Sequence, residues 1–375
     1  MTWDHARGYD PLAASAAAYE KENGVKIQWD KRSLKDFGDA SLEQLAERYD
    51  LVVLDHPHVG VAAASGCLRP LDSLLTAESL QTLAENSVGP SFASYNYTDH
   101  QWALPLDAAC QVSACRPDLL GSEPLPETWD AVFTLAEKLK NEALYVGMAL
   151  CPTDCLCSFL TLCAQSGEGP AEGKTELAST PTGLSVLDTL RRLRDACHPD
   201  SLQWNPIALF DQMARSDGRI AYAPLAFGYT NYARPDYAEK TLRFGSIPGK
   251  ANTLLGGAGI ALSKRCAAPE AAADYLKWLC GAECQRGLYT ASGGQPGNAA
   301  AWEDPEADAT AGNFFSGTFD TIRQAFVRPR AAEWPVFQEY LGERVHRFLK
   351  EHESPEQTLL DLQERYRQTF NTHTI

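Results

Sequence analysis

The chain has 375 residues, 44% of them hydrophobic and 22% charged, a balance that suits two globular units and excludes a disordered tail. Its formal net charge of −16 opposes nucleic acid or an anionic membrane as a partner, because the field of the whole protein would repel both. No apolar run approaches the ~20 residues that a membrane helix needs, so no membrane insertion is expected.

The first residues, Met1-Thr2-Trp3-Asp4-His5, hold no basic region, apolar core or small-residue cleavage site. A cytoplasmic chain is expected as it stands, or a periplasmic or extracellular one if a leader has been removed. Eleven cysteines is an odd number, and Cys110, Cys115, Cys163 and Cys280 lie in apolar surroundings. They read as small core residues of a reducing compartment. The cluster Cys151, Cys155, Cys157 and Cys163 has a spacing that matches no zinc or iron–sulfur pattern, so idle thiols are expected there and no cofactor is implied.

Residues 10–23 read as an amphipathic helix, with Leu12, Ala16 and Tyr19 on one face and Gly24 as its stop. Residues 25–29 then alternate as a half-buried strand, 42–49 form a short helix, and 51–54 form a wholly apolar strand of the kind found centrally in parallel sheets. This alternation predicts right-handed crossovers and a mainly parallel sheet with helices on both faces. A helix to about Glu85 and a loop rich in Ser, Asn and Tyr lead to a strand at 102–106. Helices are expected at 126–140, 180–196 and 207–215, followed by a strand at 219–223. Residues 254–262 form a glycine-punctuated strand that feeds a helix from Pro269, with Ala272, Tyr275, Leu276 and Leu279 near a 3.6-residue period. A second short helix starts at Ala282 and ends before Gly293-Gly294. The tail, 329–368, is helical, and Ser354 is placed to cap a new start before Pro355.

The run from Leu254 to Pro296, the strand Trp102-Ala103-Leu104-Pro105, Arg116-Pro117-Asp118-Leu119-Leu120 and Pro126-Glu127-Thr128-Trp129-Asp130 fall in a specific order. Together they resemble the bacterial family 1 extracellular solute-binding proteins, with Pro117 in place of the usual lysine. The resemblance implies a two-lobe, periplasmic-binding-protein-like α/β fold, each lobe a mainly parallel sheet flanked by helices. Lobe 1 would be residues 1–110 and 254–312, and lobe 2 would be 111–253 and 313–375. It also implies a monomer that captures a small polar ligand in the interlobe cleft by hinge closure and presents it to the membrane subunits of an ABC importer. Carbohydrates are the commonest ligands of that family.

Candidate ligand contacts are the residues placed after strands, where ligands sit in such sheets. Trp3, Asp4, His5, Arg7 and Tyr9 crowd the loop after a very short first strand. There a tryptophan face suits a sugar ring, and an arginine fork suits a carboxylate or phosphate. Asp55, His56 and His58 come after the strand 51–54, and two histidines about a proline in extended chain would point to similar sides. Convergence with His5 would give three imidazoles beside Asp4 or Asp55, enough in kind for a transition metal, although a ligand contact or a hydrogen-bond network is the more ordinary outcome. Asp107, with Trp102 and Tyr97, comes after the leucine–proline strand. Tyr229, Asn231 and Tyr232 form a loop in lobe 2, Gly256 and Gly257 permit close backbone approach, and Trp334 is a late aromatic. No P-loop, G-x-G-x-x-G, G-x-S-x-G or H-E-x-x-H pattern occurs. A binder is therefore expected, of a sugar or a compact carboxylate-bearing compound. The alternative is a cytoplasmic enzyme on the same fold that uses these His and Asp residues for acid–base or metal-assisted chemistry.

Overall fold

Leu104–Cys115 is a strand of twelve buried residues. An uninterrupted small and apolar sequence suits a strand covered on both faces. It begins in one structural unit and ends in another. The computed structural model describes residues 1–33, 41–169 and 173–370, and these divide into unit 1, Met1–Ala109 with Leu255–Arg323 and Arg330–Ala332, and unit 2, Cys110–Leu254 with Gln324–Pro329 and the chain from Glu333.

In unit 1 the wholly buried strand Leu51–Leu54 pairs antiparallel with Leu255–Ser263, with Leu54 opposite Gly259 and Leu51 opposite Leu262. Leu68–Arg69 pairs antiparallel with the same strand. Leu255–Ser263 enters from unit 2 against the direction of Leu51–Leu54, so this ladder differs from the parallel one expected for that strand. The parallel pair in this unit is Thr2–Trp3 with Lys31–Arg32. The expected strand at 25–29 is irregular. Its alternation is real, since Val25 and Ile27 are half-buried, Trp29 is buried, and Lys26 and Gln28 are exposed, but ladder pairing begins only at Lys31. Helix Ala6–Asn23 starts four residues before the expected position because His5 caps it, and it ends at Gly24, whose left-handed φ of 68° suits glycine. The core joins Leu12, Ala16 and Tyr19 of that helix to Leu262, Tyr275, Leu276 and Leu279. Unit 1 also holds helix Phe314–Arg323, beyond the boundary at 312 expected from sequence. Phe314 and Phe315 pack on Trp302, with ring centres 6.1 and 4.9 Å away.

In unit 2 the second half of Leu104–Cys115 pairs antiparallel with Ile220–Phe227 and with Arg243–Gly245, and Tyr145–Val146 adds a parallel strand. Helices Trp129–Asn141, Pro152–Gln165, Thr180–Ala196, Trp334–Glu351 and Pro355–Phe370 supply the core. The helical tail is thus two helices, broken at His352, whose φ is 57°, with Ser354 Oγ accepting from the Gln357 amide at 3.3 Å. Pro152–Gln165 is buried along almost its whole length, as its eleven buried residues show. Gly342 lets helix Trp334–Glu351 press on it, since a Cβ at 342 would meet the Pro152 carbonyl at 2.6 Å. Replacing Gly342 by alanine should therefore lower unfolding stability by about 1–3 kcal/mol, as overpacking does, measured by chemical denaturation with an unchanged m-value.

Candidate functional site

The loop after the first strand is held by hydrogen bonds and packing. The Thr2 amide donates to Asp30 O at 2.9 Å, and Thr2 Oγ1 donates to Gly8 O at 3.0 Å. Trp3 lies under helix Ala6–Asn23: a Cβ at Gly8 would fall within 3 Å of its ring. The indole is buried in the unit 1 core rather than presented as a platform. Asp4 is exposed and pairs with Lys31 at 2.7 Å, and the same ammonium sits 5.0 Å from the Tyr9 ring centre. His5 Nδ1 accepts the Arg7 amide at 3.0 Å and so caps the helix. Burial, reinforced by the Arg7 charge, holds the His5 imidazole down at about 4. A neutral ring is what the cap requires, because protonation removes the accepting lone pair.

Arg7 does not offer its fork to solvent. Nε donates to Asp107 Oδ2 at 2.7 Å and one terminal nitrogen donates to Asp107 Oδ1, with both side chains buried. Burial pushes the Asp107 carboxyl up, and the Arg7 charge opposes that rise. Around this pair Gln285 donates to Leu106 O at 3.3 Å and accepts the Gly297 amide at 2.8 Å, while Gln295 donates to Ala108 O at 2.8 Å. Asp107 is thus bonded to Arg7 as a structural anchor, in contrast to the ligand contact expected. Nothing in the sequence around Gln285 or Gln295 marks them as its neighbours.

Asp55, His56 and His58 depart from the expected extended geometry. Asp55 Oδ1 accepts the His56 amide at 2.9 Å and starts a 3-10 turn over His56–His58. The two rings differ in burial. His56 is fully buried, edge-on to Tyr95 at 6.3 Å, whereas His58 is half-buried with Nδ1 3.3 Å from Asp55 O. Among the described residues no group of three His, Cys, Asp or Glu side chains is placed to hold a metal ion. The cysteines 151, 155, 157 and 163 are free thiols, and burial pushes those of Cys151, Cys155 and Cys163 up, away from metal-binding thiolate.

Other candidates turn out to be framework. Trp102 is buried and donates from Nε1 to Tyr97 O at 3.0 Å. Gly256 is buried in its strand, and Gly257, with φ of 94°, abuts protein backbone, since a Cβ there would lie within 3 Å of Asp107 O, Ala108 Cα and Ala109 N. Their expected role at a ligand gives way to strand packing. In unit 2 Tyr229, Asn231 and Tyr232 share a buried turn after Ile220–Phe227. Tyr232 OH donates to Asp211 at 2.6 Å, and burial pushes that phenol up, so the hydroxyl is committed. Asn231 Oδ1, by contrast, is a buried acceptor with no hydrogen-bond partner among the described residues. Trp334 is fully buried against Phe337 and Phe370, at 5.5 and 6.0 Å, and presents no face to a ligand. Two surface hollows, of about 290 and 500 Å³, are lined by none of the candidates.

Two outcomes are expected from these placements. Asp107→Asn should lower stability by about 3–5 kcal/mol by leaving a buried guanidinium uncompensated, and the double change Arg7→Met with Asp107→Leu should recover most of the loss, as read by urea unfolding. Because folding lowers the His5 pKa from 6.5 to about 4, the unfolded chain binds the extra proton between those values. The contribution is fully present above pH 6.5 and disappears as pH falls towards 4. It should amount to roughly 1–3 kcal/mol and vanish in His5→Asn, which caps without titrating in this range.

The comparisons with known proteins agree on one family. The model for bacterial extracellular solute-binding proteins matches residues 14–314. No curated protein matches the sequence. Among solved structures, an ABC transporter solute-binding protein from Thermotoga lettingae bound with α-D-tagatose is 18% identical with a TM-score of 0.83, over 96% of each chain. One from Agrobacterium radiobacter K84 in complex with ribitol is 20% identical with a TM-score of 0.82, over 96% of this chain and 97% of that one. The GacH receptor of Streptomyces glaucescens, solved unliganded and with acarbose, is 18% identical with a TM-score of 0.81, over 100% and 98%. At these identities the structures show a shared fold, the two-lobe α/β architecture of periplasmic binding proteins. With residues 14–314 matched, this chain belongs to the bacterial extracellular solute-binding proteins.

Proposed function

We propose that the chain captures a small neutral polyhydroxylated ligand, a sugar or a polyol, in a cleft between its lobes, and that hinge closure presents the ligand to the membrane subunits of an ABC importer. The family match over residues 14–314 carries this reading. The fold neighbours bound with tagatose, ribitol and acarbose support the carbohydrate class. Support for the hinge comes from the chain itself, which passes between the units at 109/110, at 254/255 and again between 323 and 333. A ligand that touches both lobes stabilises the closed state by its differential affinity for it.

The bonding of Arg7 supports the neutral one of the two ligand classes left open by the sequence. Its fork, the group best suited to a ligand carboxylate, is directed at Asp107. A neutral ligand bonded through hydroxyls does not need it. Asn231 Oδ1, buried and without a partner, suits a hydroxyl donor, since a buried acceptor without a donor is unfavourable. Asp55, His58 and Tyr229 are the remaining contacts in this reading. The enzyme alternative gains no support from His5, which caps a helix, or from His56, which packs on Tyr95.

Calorimetric and thermal-shift titration with D-tagatose, ribitol, maltose and acarbose, with D-galacturonate as the carboxylate control, tests the reading. At least one neutral compound should bind and be recovered unchanged, adding about 2.7 kcal/mol of stability at a hundredfold excess over Kd. A response to D-galacturonate alone would overturn the ligand class, and turnover of a bound compound would overturn the binding function.

A further inference from the structure

The surface hollow of about 290 Å³ lies wholly within unit 1. Its walls are residues 25–29, residues 48–51, and the start of helix Pro269–Leu279 with the turn before it. Met1 and Leu51 place it at the amino ends of strands Thr2–Trp3 and Leu51–Leu54, whereas a ligand in such sheets sits beyond the carboxyl ends. The wall at 25–29 has the form of a strand without a partner. Val25 and Ile27 are half-buried and Trp29 is buried, while Lys26 and Gln28 are exposed. Among the described residues no backbone amide or carbonyl of this segment is hydrogen-bonded.

The neighbouring ladder shows which groups face the hollow. Asp30 O accepts the Thr2 amide at 2.9 Å, and Arg32 O accepts the Asp4 amide at 2.6 Å. Backbone groups alternate in direction along an extended chain, so those of Lys26 and Gln28 point to the same side as those of Asp30 and Arg32. On its other edge the first strand meets the next one, with the Met1 amine donating to Leu51 O at 2.9 Å and the Val53 amide donating to Met1 O at 3.1 Å. The hollow therefore prolongs a strand-wide position, parallel to the chain on either side. Its walls also define a chemistry. Val25, Ile27, Ala271 and Ala272 offer half-buried apolar surface beside the unit 1 core. Lys26 and Arg48 are exposed, have no ion-pair partner among the described residues, and outnumber the single lining carboxylate, Asp50.

We propose that this hollow is a strand-accepting site, which takes an extended peptide of another chain parallel to residues 25–29. The peptide carries apolar residues at alternate positions, turned inward, and an acidic residue turned outward to Lys26 and Arg48. Main-chain bonds to Lys26 and Gln28 supply affinity, and the alternate side chains supply selectivity. The added strand also covers an edge whose hydrogen-bonding groups are otherwise open.

Amide exchange read by NMR on the full chain, with acetyl-Val-Glu-Val-Thr-Val-amide as the peptide, tests the site. At about ten times its Kd the peptide should slow exchange at Lys26 and Gln28 by about tenfold, because a bonded amide exchanges only from the unoccupied fraction. Gln28→Pro removes an N–H that the fold does not use and should abolish protection at Lys26, whereas Gln28→Ala should behave as the wild type. Circular dichroism establishes that both variants are folded. Appending Val-Thr-Val ahead of Met1 fills the same position without altering a wall, and should block the added peptide. Undiminished binding to that form, or no protection at millimolar peptide, would overturn the site. Equal protection by acetyl-Val-Glu-Pro-Thr-Val-amide would overturn strand addition, and equal affinity for acetyl-Val-Lys-Val-Thr-Val-amide would overturn the acidic preference. Protection that grows with protein concentration without peptide would identify a second copy as the occupant and overturn the peptide.

Discussion

A guanidinium and a carboxylate, both taken out of water, join the first turn of helix Ala6–Asn23 to strand Leu104–Cys115. Two charges in that position are tolerated only because each neutralises the other with two hydrogen bonds in good geometry. The Arg7–Asp107 pair therefore constrains everything near it. Beside it Gln285 and Gln295 bond the carbonyls of Leu106 and Ala108, on either side of Asp107. Gly257 abuts the backbone of the same strand, where a Cβ would fall 2.3 Å from Asp107 O. His5 belongs to the same arrangement, because the backbone amide that it caps is that of Arg7.

This constraint reshapes the functional reading. Residues that looked like a polar cluster for ligand or metal divide into those already committed to the protein and those that are not. Arg7, Asp107, Trp102, Tyr232 and Trp334 hold their own units together, while Asn231 keeps a buried acceptor without a protein partner. With its guanidinium bonded to an internal carboxylate, Arg7 departs from the open ligand fork that the sequence suggested.

The order of elements was legible along most of the chain. Helices at 129–141, 180–196 and 269–279 obey periodicity and capping residues that stand in plain view, with Thr128, Ser179 and Pro269 at their starts. The departures are informative because each has a local cause. Residues 25–29 carry strand-like alternation without a ladder, since inward packing needs only the alternation and pairing needs a partner edge. The turn at Asp55 was not legible because the same aspartate that ends a strand also caps the 3-10 turn after it. The neighbours of Asp107 have no sequence signature at all, since a glutamine that bonds a distant carbonyl looks like any other glutamine.

What the sequence determined by itself is therefore the class of architecture and the family. These depend on patterns repeated along many residues, where one local exception changes little. Only the tertiary structure decided which polar residues are bonded within the fold. Those bonds depend on partners roughly a hundred residues or more away, such as Asp107 for Arg7 or Ala108 for Gln295. A side chain's chemistry states what it can bond, and only the packed chain states what it has bonded.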